Sequence, residues 1–109
     1  MSWSVEILDH RVEKELKKLP ADMQARFLHV AELLEEFGPE GVGMPHVRPL
    51  ESKLYEIRLK GKAGIGRAIY IGAKGNRLVV LHVFQKKTRA APRQAIDLAK
   101  ERSKEIDDG

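Results

Sequence analysis

The sequence predicts an α+β fold, a small mixed or antiparallel sheet in the order β-α-α-β-β-β-α with helices packed on one face. Three observations carry that prediction. Residues 2–8 alternate as a half-buried strand does, with Trp3, Val5 and Ile7 on one side. Two apolar stripes at helical spacing follow. After a loop rich in glycine and proline come three strand-like runs joined by connections too short for anything but an antiparallel meander.

Each element has its own local reason. Asp9 is placed to cap a helix reaching about Leu19, in which Val12, Leu16 and Leu19 recur at helical intervals. Pro20 ends it and pre-sets the first turn of a second helix. There Met23, Phe27, Val30, Leu34 and Phe37 form one stripe, stopped by Gly38-Pro39. So close a connection folds the two helices into an antiparallel hairpin. Residues 38–50 hold three glycines and three prolines and read as a loop. The strands are expected at 54–60, 65–73 and 78–86, with turns at 61–64 and at Lys74-Gly75-Asn76. A last helix is expected from about Pro92 to Ile106, with Ala95, Ile96, Ala99 and Ile106 available for packing. Residues 107–109 are expected to fray.

With 109 residues, 42% of them hydrophobic, the chain is expected to form one domain over residues 1–109 with one core. No run of 18 apolar residues occurs, and the N-terminus lacks the basic and apolar stretches of a signal peptide. A cytoplasmic protein with no membrane partner is the expectation. Cysteine is absent, which excludes disulfides, thiolate metal sites and cysteine nucleophiles.

The net charge of +4 conceals an asymmetry. Residues 1–52 hold six Lys/Arg against ten Asp/Glu, and residues 53–109 hold fourteen against six. Between 53 and 93 there are eleven bases and a single acid, Glu56. Such a field attracts polyanions, nucleic acid first among them, although lysine-rich loops also serve solubility alone.

Strand parity narrows the location. Tyr55, Ile57 and Leu59 share one face of their strand, and Glu56, Arg58 and Lys60 the other. Arg67 shares a face with Ile65, Ile69 and Ile71. His82 is placed with Val80, Phe84 and Lys86, opposite Val79, Leu81 and Val83. If helices cover the face of Tyr55, Ile57 and Leu59, the opposite face is an exposed surface carrying Arg58, Lys60, Arg67, His82, Phe84 and Lys86.

Those residue types suit RNA cleavage without a metal or other cofactor. Attack of a ribose 2′-OH on the adjacent phosphate needs charge neutralised on the phosphoryl oxygens, which arginine does bidentately. It also needs one proton removed from the 2′-OH and one delivered to the leaving 5′-oxygen. A lysine crowded by cations serves as base or acid, and His82 is an alternative carrier. Phe84 offers a face on which a base can stack. Each residue also has a structural reading: exposed strand arginines, one paired with Glu56, a satisfied core histidine, a core phenylalanine and a solvated strand end. His10, His29 and His46 show no metal-ligand spacing. The glycines of residues 61–66 lead from strand to strand, not strand to helix, so no nucleotide-binding loop is present.

Four segments resemble one known family: Leu54-Tyr-Glu-Ile-Arg58, Gly64-Ile-Gly-Arg67-Ala-Ile-Tyr70, Val80-Leu-His82-Val-Phe84-Gln-Lys86-Lys87-Thr88, and Ala91-Pro92-Arg-Gln-Ala-Ile-Asp-Leu-Ala99. Together they look like the phage-derived, HigB-like branch of the RelE/ParE toxin superfamily, over about residues 54–104. The resemblance implies a RelE-like sheet with helices on one side, a cognate antitoxin of helix-turn-helix type, and endoribonuclease action on mRNA at the ribosome. It points to Arg58, Arg67 and the strand end His82–Lys87 as the functional surface, which agrees with strand parity. The leading reading makes Arg58, Arg67, His82 and Lys86 catalytic and has Lys60, Lys62, Phe84, Lys87, Arg89 and Arg93 hold RNA. Ala91 departs from the pattern, since many relatives have a hydroxyl residue before this proline. Alanine there weakens the helix cap by about 1 kcal/mol without touching the chemistry. A ParE-like inhibitor of DNA gyrase and a non-catalytic binder of nucleic acid or of a partner are the alternatives.

Overall fold

The computed structural model describes residues 2–43, 46–86 and 93–106, of Lys86 the backbone alone. The chain runs β1 (Ser4–Ile7), α1 (His10–Lys17), α2 (Ala21–Phe37), β2 (Val47–Pro49), β3 (Leu54–Gly61), β4 (Gly64–Ala73), β5 (Arg77–Lys86) and α3 (Arg93–Ser103). The strands form one mixed sheet in the order β1-β5-β4-β3-β2. β1 lies parallel to β5, and every other neighbouring pair is antiparallel.

Local chemistry explains the boundaries. Asp9 caps α1 by accepting the Arg11 N–H at 3.0 Å. Gly38 ends α2 at φ 78°, where its N–H donates to the Leu34 carbonyl. A Cβ at that position would sit 2.8 Å from Trp3 Nε1, so only glycine fits beneath the indole. At the β4–β5 turn Gly75 and Asn76 take φ of 81° and 57°, a region those two residue types tolerate. The short strand β2 falls inside the stretch expected to be a loop. Its three residues pair with Tyr55–Ile57 as Val47↔Ile57, Arg48↔Glu56 and Pro49↔Tyr55. Pro49 is tolerated because it sits on the sheet edge.

The helices do not all lie on one side. α1 and α2 bury Val12, Met23, Phe27, Val30 and Leu34 against Ile57, Leu59, Ala68, Tyr70, Leu78 and Val80. α3 crosses to the opposite face, where Ala95 and Ala99 pack on Leu54, Ile69, Val79 and Leu81. The reason is in the strands themselves. The central runs Ala68–Ile71 and Leu78–Leu81 are apolar at every position, and such strands need cover on both faces.

A bulge in β5 completes the frame. The β4–β5 register steps from Ile69↔His82 to Tyr70↔Val80, leaving Leu81 unopposed. Parity is therefore not continuous along β5, and Val80 faces α1 and α2 while Phe84 packs with the α3 cluster.

Candidate nucleic-acid interface

Strand register, which parity alone leaves open, brings the expected residues onto one end of one face. Arg58 on β3 stands opposite Arg67 on β4, and Arg67 opposite Phe84 on β5. On one side of that row lie Lys60, Ile65 and Lys86, and on the other Glu56, Ile69 and His82. All six residues Arg58, Lys60, Arg67, His82, Phe84 and Lys86 thus fall within three adjacent rungs. α3 packs over Ile69 in the innermost of these rungs and over Leu54 and Val79 in the next one.

Their environments differ sharply. Lys60 is exposed and Arg58 half-buried. Arg67 is not on an exposed surface, with only 3% of its side chain accessible. Its Nη1 donates to Glu56 Oε1 at 2.5 Å, and Glu56 is wholly buried. Arg48 Nε on the edge strand donates to the same oxygen at 3.0 Å. Glu56 thus pairs with Arg67 and Arg48, not with Arg58. The buried carboxylate and guanidinium need each other, because either alone in that apolar layer would be costly.

His82 is also held. Its Nδ1 lies 3.0 Å from Glu15 Oε1, and its ring stacks on Phe84 at 4.9 Å between centroids. Glu15, one of the residues sequence reasoning missed, is a junction of three elements. β1 pairs only with Arg77–Val80, so among the described residues no strand covers the edge of the outer half of β5 on that side. Glu15 Oε1 accepts the Val83 N–H at 3.0 Å, and Arg102 Nη1 on α3 donates to the Leu81 carbonyl at 2.9 Å. The same Nη1 lies 3.0 Å from Glu15 Oε2. The two side chains therefore satisfy edge groups that another strand would otherwise seek. No local pattern announces this, since Glu15 and Arg102 sit 87 residues apart.

The outlying cations divide. Lys62 is exposed in the β3–β4 turn, which is pinned by its N–H donating to Asp22 Oδ2 at 2.8 Å. Arg93 is engaged with acids: it forms two hydrogen bonds to Glu51 and reaches Asp97. Arg93 and then Lys100 hold the Glu51 carboxyl down to about 2, while Glu51 and then Asp97 raise the Arg93 guanidinium further. Lys87, Arg89, Ala91 and the Lys86 side chain lie outside the described residues. Tyr55 packs on the α1–α2 side, stacked on Tyr70 at 5.4 Å, and burial raises the Tyr70 hydroxyl. Among the described residues no group of three or more His, Asp or Glu is placed to hold a metal ion. No helix among them is long and apolar enough to cross a membrane.

A solved structure similar to this chain is that of the archaeal RelE–RelB complex from Pyrococcus horikoshii OT3. It matches with a TM-score of 0.59 and 27% sequence identity over 82% of this chain and 100% of that one. The fold is RelE-like. No curated protein matches the sequence. Residues 14–104 match the family model described as phage-derived protein Gp49-like, a span that takes in α2, the whole sheet except β1, and α3. The chain belongs to this Gp49-like family.

Proposed function

We propose that this chain is the toxin of a toxin–antitoxin pair, a metal-independent endoribonuclease of the HigB-like kind that cuts mRNA on the ribosome in the cytoplasm. One observation carries the reading: the register of a RelE-like sheet brings two arginines, two lysines, a histidine and a phenylalanine into three adjacent rungs. The single domain is the functional unit. Arg58 binds the phosphoryl oxygens of the scissile phosphate. Lys86 takes the proton from the 2′-OH or returns one to the 5′-oxygen, and His82 is the alternative carrier. The 2′-oxygen–phosphorus bond forms as the bond to the 5′-oxygen breaks, leaving a cyclic phosphate and a 5′-hydroxyl.

Arg67 enters this scheme from a buried position, by fixing the strand that presents Arg58 or by exchanging Glu56 for the phosphate. Lys60, Lys62, Lys87 and Arg89 hold the RNA backbone, and Arg93 joins them on leaving Glu51. Phe84 supplies the stacking face. The similarity to a RelE–RelB complex supports an antitoxin as protein partner; its helix-turn-helix type belongs to the proposal alone.

Primer extension on a reporter mRNA in a reconstituted translation system tests the reading. Cuts that need ribosomes and are lost in Arg58→Ala support it. Intact mRNA with unimpeded translation refutes it and directs the next assay to gyrase supercoiling. A second reading, binding without turnover, is favoured by the carboxylates that hold Arg67 and His82. It predicts that the Arg58 substitution changes RNA affinity while no cut appears in any variant.

A further inference from the structure

Of the eight arginines among the described residues, six pair with a carboxylate: Arg11, Arg48, Arg67, Arg77, Arg93 and Arg102. The two without a carboxylate partner, Arg26 and Arg58, line the same cavity. It measures about 220 Å³, and Lys60 and His46 complete its wall. Three elements build it. Arg26 projects from the exposed side of α2, Arg58 and Lys60 come from the end of β3 beyond its pairing with β2, and His46 precedes β2. The His46 carbonyl accepts the Arg58 N–H at 2.8 Å, which fixes one wall to the other. His46 also meets His29 of α2 edge-to-face at 6.4 Å, so the loop is tied to the helix. Asp22, one turn before Arg26, is the nearest acid along α2, and it is turned to the Lys62 N–H.

A protein that pairs its other described arginines has left two of them, with a lysine, converging on one concavity. Three like charges in a partly enclosed site repel one another, and the field there is focused for an anion. We propose that this cleft binds the RNA backbone phosphate next to the scissile one, with Arg58 shared between the two phosphates. Strands of RNA crossing the proposed catalytic face therefore continue around the free edge of β3 onto α2. The inference deepens the reading above, because it takes RNA as the target. It adds Arg26 and His46, which lie outside the basic segment 53–93, to the contact surface. RNA is favoured over an acidic protein segment by continuity, since Arg58 and Lys60 belong to both the cleft and the three rungs. The cavity also suits one tetrahedral oxyanion gripped by two guanidinium forks.

Fluorescence anisotropy with a 12-nucleotide single-stranded 2′-O-methyl RNA tests it, because that probe cannot be cut through its 2′-oxygen. Arg26→Gln, on an exposed helix position, is expected to weaken binding about tenfold. The slope of log affinity against log salt should become shallower by about 0.7. Lys104→Gln, the same charge change at an exposed residue just after α3 that does not line the cleft, should leave both unchanged. In Arg26→Gln/Arg58→Gln the loss should fall short of the product of the two single losses, because both side chains grip one phosphate. Unchanged affinity and slope in Arg26→Gln overturn the inference, as does an equal loss in Lys104→Gln. So does Arg26-dependent binding of polyglutamate without binding of RNA, which would assign the cleft to an acidic protein segment. Arg26-dependent RNA binding by a protein that cuts nothing would sustain the cleft and refute the nuclease reading. Cleavage by a protein whose RNA affinity ignores Arg26 would do the reverse.

Discussion

Arg67→Met should unfold much of the protein's stability margin without any reference to RNA. The variant leaves Glu56, wholly buried, with Arg48 as its remaining partner among the described residues, and the Arg48 side chain is 35% exposed. Removing one member of a buried ion pair costs about 3–5 kcal/mol, because the survivor is left in an apolar layer without its partner. Arg48 compensates in part, which sets the expectation near 3 kcal/mol. That is a large share of the roughly 5–15 kcal/mol that holds a small domain folded. Glu56→Met/Arg67→Met removes both charges and fills the space with apolar atoms, so it should recover to within about 1 kcal/mol of wild type. Equilibrium urea unfolding of the four proteins measures the cycle, provided the slope with denaturant stays constant. A single-variant loss below about 1 kcal/mol, or a double variant as unstable as the two singles combined, would refute the argument. The cycle also settles how Arg67 variants are to be read in cleavage assays. Lost activity in Arg67→Met reports on folding, whereas lost activity in the refolded double variant reports on contact with RNA.

Glu15→Ala should cost about 2 kcal/mol, since charge-assisted bonds to Val83, His82 and Arg102 disappear together. Hydrogen exchange should show the Val83 amide losing protection by a matching factor, and an unaltered Val83 rate would show that Glu15 does not seal the β5 edge. The anchoring of α3 should be acid-sensitive. Glu51 is held at about 2 against an ordinary 4.5, chiefly by Arg93 and then by Lys100. A depressed carboxyl contributes stability in full above pH 4.5 and loses it as pH falls through about 2. The melting temperature of wild type should therefore converge on that of Glu51→Gln between pH 4.5 and 2. A constant gap across that window would contradict the linkage.

Much of this architecture is legible in the residues, and what is not has identifiable causes. Helices α1 and α2 follow from their apolar stripes and from Asp9, Pro20 and Gly38, all of which act within a few residues. β2 escapes because three residues rich in proline carry no period, and pairing with β3 alone makes them a strand. The crossing of α3 to the second face is signalled by Leu78–Leu81, apolar at every position, but a small domain with a one-sided sheet is the simpler first reading. The residues of the three rungs were readable by parity, yet their states were not. Whether Arg67 is exposed depends on Glu56 beneath it, which is a fact of register. The β5 bulge at Leu81 moves Val80 off the face of Phe84, and no sequence signal announces it. Glu15 and Arg26 lie in the acidic half of the chain, where charge counting gives no reason to look.

The proposed cutting of RNA by Arg58 and its neighbours is tested by mapping where mRNA breaks. Purified wild type and Arg58→Ala are added to translating ribosomes, and the 5′ ends of the reporter mRNA are mapped over time. Arg58 is half-buried on a strand, with no carboxylate among its described contacts, so its removal should leave the fold intact. Wild type should make ribosome-dependent cuts, and the variant should cut at a rate about 10²–10³ lower. Cutting by Arg58→Ala at the wild-type rate, or no cut by wild type, would contradict the proposal.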